Sequence, residues 1–255
     1  MAGSSTPKTI LFLGATGGCG LAVLRHSLAA GHTCIALCRT PSKLTAKLPA
    51  DQQGKANLRT EQGNAHDVDA VARCLAHPTR PGALVDAVVF SIGGAFQPAK
   101  MTIDDPNVCE KGMRALLDAL ARPRPGAEAG AAKKKPRVIA ISTTGITNLG
   151  RDVPVLFIPM YHIMLKDPHK DKKAMEALLI ASDADWTLVR PSLLTDGPES
   201  DTKVRAGVED SASRKVESKA VGYTISREDT GKWIFENLIE ETDGRWVRKT
   251  ATITY

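Results

Sequence analysis

A chain of 255 residues, 42% of them apolar, is long enough to fold as one α/β domain with a sizeable core. Its first apolar run, Ile10 to Leu13, is far too short for a signal h-region or a membrane span, and Met1 to Lys8 reads as a loose polar tail. Five cysteines (Cys19, Cys34, Cys38, Cys74 and Cys109) make no C-x-x-C pair and no metal-ligand spacing, and the odd count without a secretion signal points to reduced thiols in a cytoplasmic protein.

Apolar runs alternate with amphipathic segments from end to end. Strands are expected at Thr9–Leu13, Thr33–Cys38, Asn57–Gln62, Ala87–Ser91, Val138–Ser142 and Trp186–Arg190. Helical patterns fall between them at Gly18–Ala30, Asp67–Ala76, Pro106–Ala121 and Lys170–Ser182. Most of these strands are too apolar to alternate, which calls for a doubly wound parallel sheet with helices on both faces. After Ser192 the pattern breaks. Thr195–Asp210 reads as a polar loop, followed by a helix from Glu228 to Glu240 and a last strand near Trp246–Ile253. One domain over residues 1–255 is expected, with a dinucleotide-binding core at 9–191 and a small C-terminal substrate-side segment at 192–255.

The net charge of +6 is concentrated in Arg122–Arg137, where proline, glycine and alanine make an exposed, mobile loop the expected form. No aromatic residues interleave its charges and no helix-turn-helix or zinc pattern appears, so neither nucleic acid nor membrane is expected as a partner. The remaining basic excess favours an anionic small molecule through general steering.

The most informative stretch is Gly14-Ala15-Thr16-Gly17-Gly18-Cys19-Gly20, set between an apolar strand and a helical pattern. Gly14 suits a tight turn, Gly17 and Gly18 let a diphosphate approach the main chain, and Gly20 permits close helix–strand packing. The pattern is that of a Rossmann-type dinucleotide site. The second strand ends at Cys38-Arg39 with no carboxylate to bond a ribose 2′-hydroxyl. Arg39, supported by Ser42 and Lys43, therefore points to NADP(H) rather than NAD. Asn64 and Ala65 follow the third strand where adenine is expected. Ser91, Ile92 and Gly93 end the fourth, where small residues admit ribose and diphosphate.

Together with Ile141-Ser-Thr-Thr-Gly145, Asp185-Trp-Thr-Leu-Val-Arg-Pro191 and Ile225-Ser-Arg-Glu-Asp229, the glycine turn resembles the atypical branch of the short-chain dehydrogenase/reductase superfamily. Within it, the resemblance is to NAD(P)H-binding proteins of the NmrA-like and flavin/biliverdin-reductase-like kind, and it covers Thr9 to about Leu238. It implies that Pro191, Ser192, Leu193 and Leu194 line the nicotinamide pocket and that Ser142 and Thr143 stand at its edge, with Thr143 over the substrate. The Tyr-x-x-x-Lys pair of standard members is missing: Tyr161 is followed four residues on by Leu165, and Tyr223 by Arg227.

Lys172 best matches the lysine that relatives carry on this helix. It shares a helix side with Met175 and Leu179, whereas Lys173 points some 100° away. Its alternatives are a nicotinamide-orienting or catalytic group and a snorkelling surface lysine. Tyr161, His162 and His169 are further candidate acids in a mixed aromatic and imidazole segment. The expected function is NADPH-dependent reduction of a small carbonyl, enone or quinone-like compound in a tailoring pathway, with no metal. An NADP(H)-sensing protein without catalysis, and a non-redox isomerase or ring-opening enzyme on the same fold, are the alternatives. Oligomeric state is left open.

Overall fold

In the computed structural model the described residues are 6–94, 96–97, 102–103, 105–123, 134–157, 166–211, 213–241 and 243–255. Tyr161, His162 and most of the basic loop between Arg122 and Arg137 lie outside them.

Residues Ile10 to Leu13 are each no more than 1% exposed, the mark of a strand covered on both faces. This strand, β1 (Thr9–Leu13), leads into α1 (Gly18–Ala29), β2 (Thr33–Cys38), the short α2 (Pro41–Thr45), β3 (Leu58–Gln62), α3 (Val68–Leu75) and β4 (Ala87–Phe90). Two-residue strands β5 (Phe96–Gln97) and β6 (Thr102–Ile103) pair with each other. Then come α4 (Val108–Ala121), β7 (Arg137–Ile141), α5 (Lys166–Ala181) and β8 (Asp185–Pro191). The chain continues through β9 (Leu193–Thr195), β10 (Arg205–Asp210), β11 (Lys215–Ser218), β12 (Thr224–Ser226), α6 (Arg227–Ile234) and β13 (Lys249–Thr254).

The main sheet has the order β11-β10-β13-β8-β7-β4-β1-β2-β3. From β3 to β13 every pairing is parallel, and β10 and β11 add an antiparallel edge. The run β3-β2-β1-β4-β7-β8 reverses direction of winding between β1 and β4. That is the switch point where open α/β sheets leave a crevice at the carboxyl ends of their strands.

Alternation along β1 divides the core. Ile10 and Phe12 pack with Val23, Leu24 and Ile234 from α1 and α6. Leu11 and Leu13 face the opposite way, toward Val71, Met113 and Leu179 from α3, α4 and α5. Helices therefore cover both faces, and the chain is a doubly wound Rossmann-type α/β fold.

Two segments differ from the sequence reading. The polar stretch Thr195–Asp210 is not all loop, because Arg205–Asp210 forms β10. Its inward positions include Gly207, which sits against the Ala220 backbone, and the ion-paired Glu209, so the usual apolar alternation is missing. The helix expected from Glu228 to Glu240 is α-helical only to Ile234 and continues as a π-helical turn over Phe235–Glu240. Its start is fixed by the Ser226 hydroxyl, which accepts the Asp229 N–H at 2.9 Å.

Candidate active site

The crevice begins at the glycine turn. Gly14 has φ +95°, and a Cβ on it would lie 2.5 Å from the Ser91 carbonyl oxygen. A Cβ on Gly20 would lie 2.5 Å from the Gly14 carbonyl oxygen and 2.8 Å from the Ser91 Cβ. These two glycines seat α1 directly against the ends of β1 and β4. Gly17 is different. Its backbone is extended, with φ 173°, and a Cβ there would meet only the Lys47 ammonium at 3.4 Å. Backbone strain is thus no reason for glycine at this position; the open space in front of it is. Gly18, at φ +57°, faces the Arg227 side chain, whose Cδ is 3.7 Å from the position of a Cβ.

Gly17 at the N-cap has no side chain to cap α1, and no acidic residue stands in the first turn, so the N-terminal N–H groups are left to the crevice with the positive end of the helix dipole. Ala15 is buried beneath the turn and Cys19 inside the helix. Burial pushes the Cys19 thiol up to about 11 and the Cys109 thiol likewise to about 11, so both are neutral, unreactive packing groups.

Two cations flank this turn that the sequence reading left without a role. Lys47 donates to the Thr16 carbonyl oxygen at 2.8 Å. Arg227 lies across Gly18 while bonding Asp196 at 2.8 Å. Lys47 stands four residues after Lys43, just past the end of α2, and Arg227 lies within Ile225-Ser-Arg-Glu-Asp229 at the start of α6.

At the end of β2, Arg39, Ser42 and Lys43 are all exposed, and Arg39 pairs with no carboxylate among the described residues. After β3, Asn64 accepts the His66 N–H at 3.1 Å, shaping the turn that carries Ala65. After β4, Ser91 and the exposed Gly93 border the crevice, and Ile92 is buried between them.

The far side is built on β7 and β8. Ser142 is 4% exposed, and its hydroxyl has no partner among the described residues. A buried hydroxyl left unpaired is costly unless something bonds it. Thr143 donates its hydroxyl to the Thr144 carbonyl oxygen at 3.2 Å, leaving its lone pairs free. Pro191 accepts the Thr144 N–H at 3.1 Å. Ser192 instead turns its hydroxyl to Thr254 at 2.8 Å, so it presents backbone rather than side chain. Leu193 and Leu194 are half-buried in the β9–β12 ribbon.

Lys172 is half-buried, not a surface lysine. Its ammonium donates to the Ile92 carbonyl oxygen at 2.9 Å and to that of Ile141 at 2.7 Å, tying the ends of β4 and β7 together. Lys173 is exposed. Beside it, Asp171 accepts the N–H groups of Cys109 and Glu110, each at 2.9 Å, and so caps α4 from a neighbouring helix. One turn on, Glu176 takes a bidentate grip from Arg190, which also reaches Glu209 at 2.7 Å. These contacts hold α5, and with it Lys172, against the sheet.

The uncapped helix start, the Gly17 space, the flanking cations and the orphaned Ser142 hydroxyl fit a dinucleotide phosphate and its sugar. They lie along one edge of the sheet, as the binding of an extended cofactor requires.

Residues 14–241 match the NAD(P)H-binding family. The protein named Reductase pytE from Aspergillus terreus is 40% identical over 99% of this chain and 100% of its own length. The protein named Oxidase pynE from Aspergillus niger is 36% identical over 96% of this chain and 98% of its own. A short-chain dehydrogenase/reductase from Veillonella parvula, solved in complex with NADP, superposes with a TM-score of 0.68 at 15% identity, covering 98% of this chain and 95% of that one. Among the described residues no helix is long and apolar enough to cross a membrane.

Proposed function

This chain belongs to the NAD(P)H-binding family and is an NAD(P)H-dependent oxidoreductase, and from that premise we propose that it uses NADPH to reduce a carbonyl, enone or quinone-like carbon of a small organic molecule at a tailoring stage of biosynthesis. The observation that carries this reading is the open, uncapped start of α1 beside an unpaired Arg39, at the edge where Ser142 offers a free buried hydroxyl.

When bound, the nicotinamide supplies the hydride. The protein's part is to hold and orient. The N–H groups of Gly17 to Gly20 take the diphosphate, with Lys47 and Arg227 beside them. Arg39 grips the 2′-phosphate in two parallel bonds, with Ser42 and Lys43 adding charge and a hydroxyl. Asn64 and Ala65 flank the adenine. Ser91 and Gly93 leave room for ribose, and the Ser142 hydroxyl bonds a sugar oxygen on the nicotinamide side. The Pro191–Leu194 segment walls off one side of the ring from water.

Lys172 acts as a positioning residue. Two of its donors fix the strand ends on which Gly93 and Ser142 depend, and the Cys109 thiol lies beside the same ammonium. With Lys172 positioning, the proton for the reduced oxygen comes from Thr143, from Tyr161 or from ordered water.

Oxidation of NADPH and of NADH is to be followed at 340 nm across a panel of quinones, aromatic ketones and enones. Turnover with NADPH on at least one acceptor is the expected result. Tight NADPH binding with no turnover on any of them would overturn the reductase reading in favour of a sensor.

A further inference from the structure

A cleft of about 860 Å³ opens at the same edge of the sheet, beyond β8. Pro154, Val155, Leu156 and Tyr223 form its apolar walls, and Arg151 and Arg205 stand at its polar end. Three of those apolar groups are unusually open to water: Val155 is 62% exposed, Leu156 77% and Tyr223 52%. Apolar side chains grouped this way around a concave surface mark a binding site far more often than a free surface.

The cleft is joined to the proposed nicotinamide pocket through both of its walls. One wall is the segment that leaves the Ser142–Thr143 turn directly, and it is tied back by the Asp152 carboxylate, which accepts the Gly145 N–H at 3.0 Å. The other wall runs into β12, whose Thr224 pairs with Leu193, and the Tyr223 carbonyl oxygen accepts the Leu193 N–H at 3.2 Å. A molecule seated in the cleft thus abuts the two segments that border the nicotinamide.

Charge decides what kind of molecule. Arg151 has no ion-pair or hydrogen-bond partner among the described residues. Its neighbour Asp152 is no counter-ion, because it is buried and turned inward onto Gly145. Arg205 is already engaged, donating to the Val221 carbonyl oxygen at 3.1 Å and to the oxygen of the last residue, Tyr255, so it is Arg151 that is left for a ligand. Lys219 adds a third cation nearby, its ammonium 3.6 Å from where a Cβ on Gly150 would lie. An unpaired guanidinium at the mouth of an apolar cleft suits a planar carboxylate or a comparably delocalised oxyanion. The Tyr223 ring, held edge-on by Phe157 at 5.1 Å, offers a face to an aromatic or conjugated body.

We infer that this cleft is the substrate site and that it takes an apolar, conjugated molecule bearing an acidic oxygen, which Arg151 reads. The inference rests on the reductase reading and narrows its substrate class.

The test uses two probes of nearly the same shape, anionic 8-anilino-1-naphthalenesulfonate and uncharged N-phenyl-1-naphthylamine. Both are titrated by fluorescence into the full chain saturated with NADP, and NADPH affinity is measured separately on every variant. Arg151→Gln is expected to weaken the anionic probe at least tenfold while changing the neutral probe less than twofold. Leu156→Asp is expected to weaken both. If Arg151→Gln leaves the anionic probe unchanged, or weakens both probes equally, while NADPH still binds, the assignment of Arg151 is wrong and the reductase reading stands. If the native chain does not bind NADPH at all, it is the reductase reading that falls.

Discussion

Arg190 grips Glu176 with both arms of its guanidinium, Nε at 2.9 Å from one carboxylate oxygen and Nη2 at 2.6 Å from the other, in a site that excludes water. Its remaining arm takes Glu209, so one strand residue fastens a helix on one side and an edge strand on the other. Burial alone would lower the Arg190 pKa, but the bonds from Glu176 and the charges of Glu209 and Asp152 raise it, which keeps the group charged.

Removing that cation leaves two carboxylates buried and facing each other. Arg190→Met should therefore cost about 3–5 kcal/mol, whereas Glu176→Gln, which keeps the shape and one good acceptor, should cost about 1–2 kcal/mol. Urea unfolding of the two variants checks the ranking. Equal losses would mean that shape rather than charge holds the joint.

The glycines of the turn should separate by function. Gly20→Ala pushes a methyl group into the Gly14 carbonyl and the Ser91 side chain, so the fold should lose stability and its cofactor together. Gly17→Val meets only the end of the Lys47 side chain, so the melting temperature should stay near that of the native chain while NADPH affinity drops at least about tenfold. Calorimetry and NADPH fluorescence on the pair distinguish packing from binding.

Arg39→Ala should lower the preference for NADP over NAD by more than about tenfold and leave NAD binding nearly unchanged. Parallel titrations with both cofactors check this, and equal losses would place Arg39 away from the 2′-phosphate.

Lys172→Ala should reduce turnover at least about tenfold and also cost about 1–3 kcal/mol, because two carbonyl oxygens lose a charged donor. Lys173→Ala should change neither. A positioning role predicts that kcat falls more than KM rises and that the pH profile keeps its shape; a proton donor would lose its basic limb instead.

Asp229 supplies a pH dependence. Burial acts to raise its carboxyl, but hydrogen bonds from the Ser200 backbone, the Tyr255 hydroxyl and the Ser200 and Ser226 hydroxyls outweigh this and hold it below its ordinary value. A depressed carboxyl stabilises fully above its unfolded value of about 3.9 and loses that contribution as pH falls through the folded one. Acid unfolding should therefore begin below about pH 4, and Asp229→Asn should be less stable at neutral pH with a shallower acid limb.

Much of the framework was legible because β1, β2, β4 and β7, in the middle of the sheet, are short and nearly unbroken apolar runs, separated by helices with a period of their own. The glycine spacing was legible for the same local reason, since Gly14 and Gly20 act on near neighbours. What escaped was long-range. Asp171 caps a helix that begins at Val108, and nothing in the sequence around either residue announces that meeting. Lys172 was singled out by helical phase, but phase cannot say that two strand-end carbonyls would receive its ammonium. The β10 strand was missed because Gly207 and Glu209 occupy its inward face, and their partners lie in other elements.

The position of β13 sets an order on assembly. It lies between β8 and β10, yet it follows both in the chain. While the polypeptide is being synthesised, the β10–β11 hairpin emerges with its docking strand still unmade, and the buried flank of β8, including Thr187 and Val189, waits as an open edge. Such an edge pairs readily with strands of other chains. The sheet can close only when the segment from Lys249 to Thr254 leaves the ribosome and slides into an interior slot. A nascent chain released before Lys249 would therefore lack an interior stave rather than a trimming, and aggregation rather than a shortened fold is its expected fate.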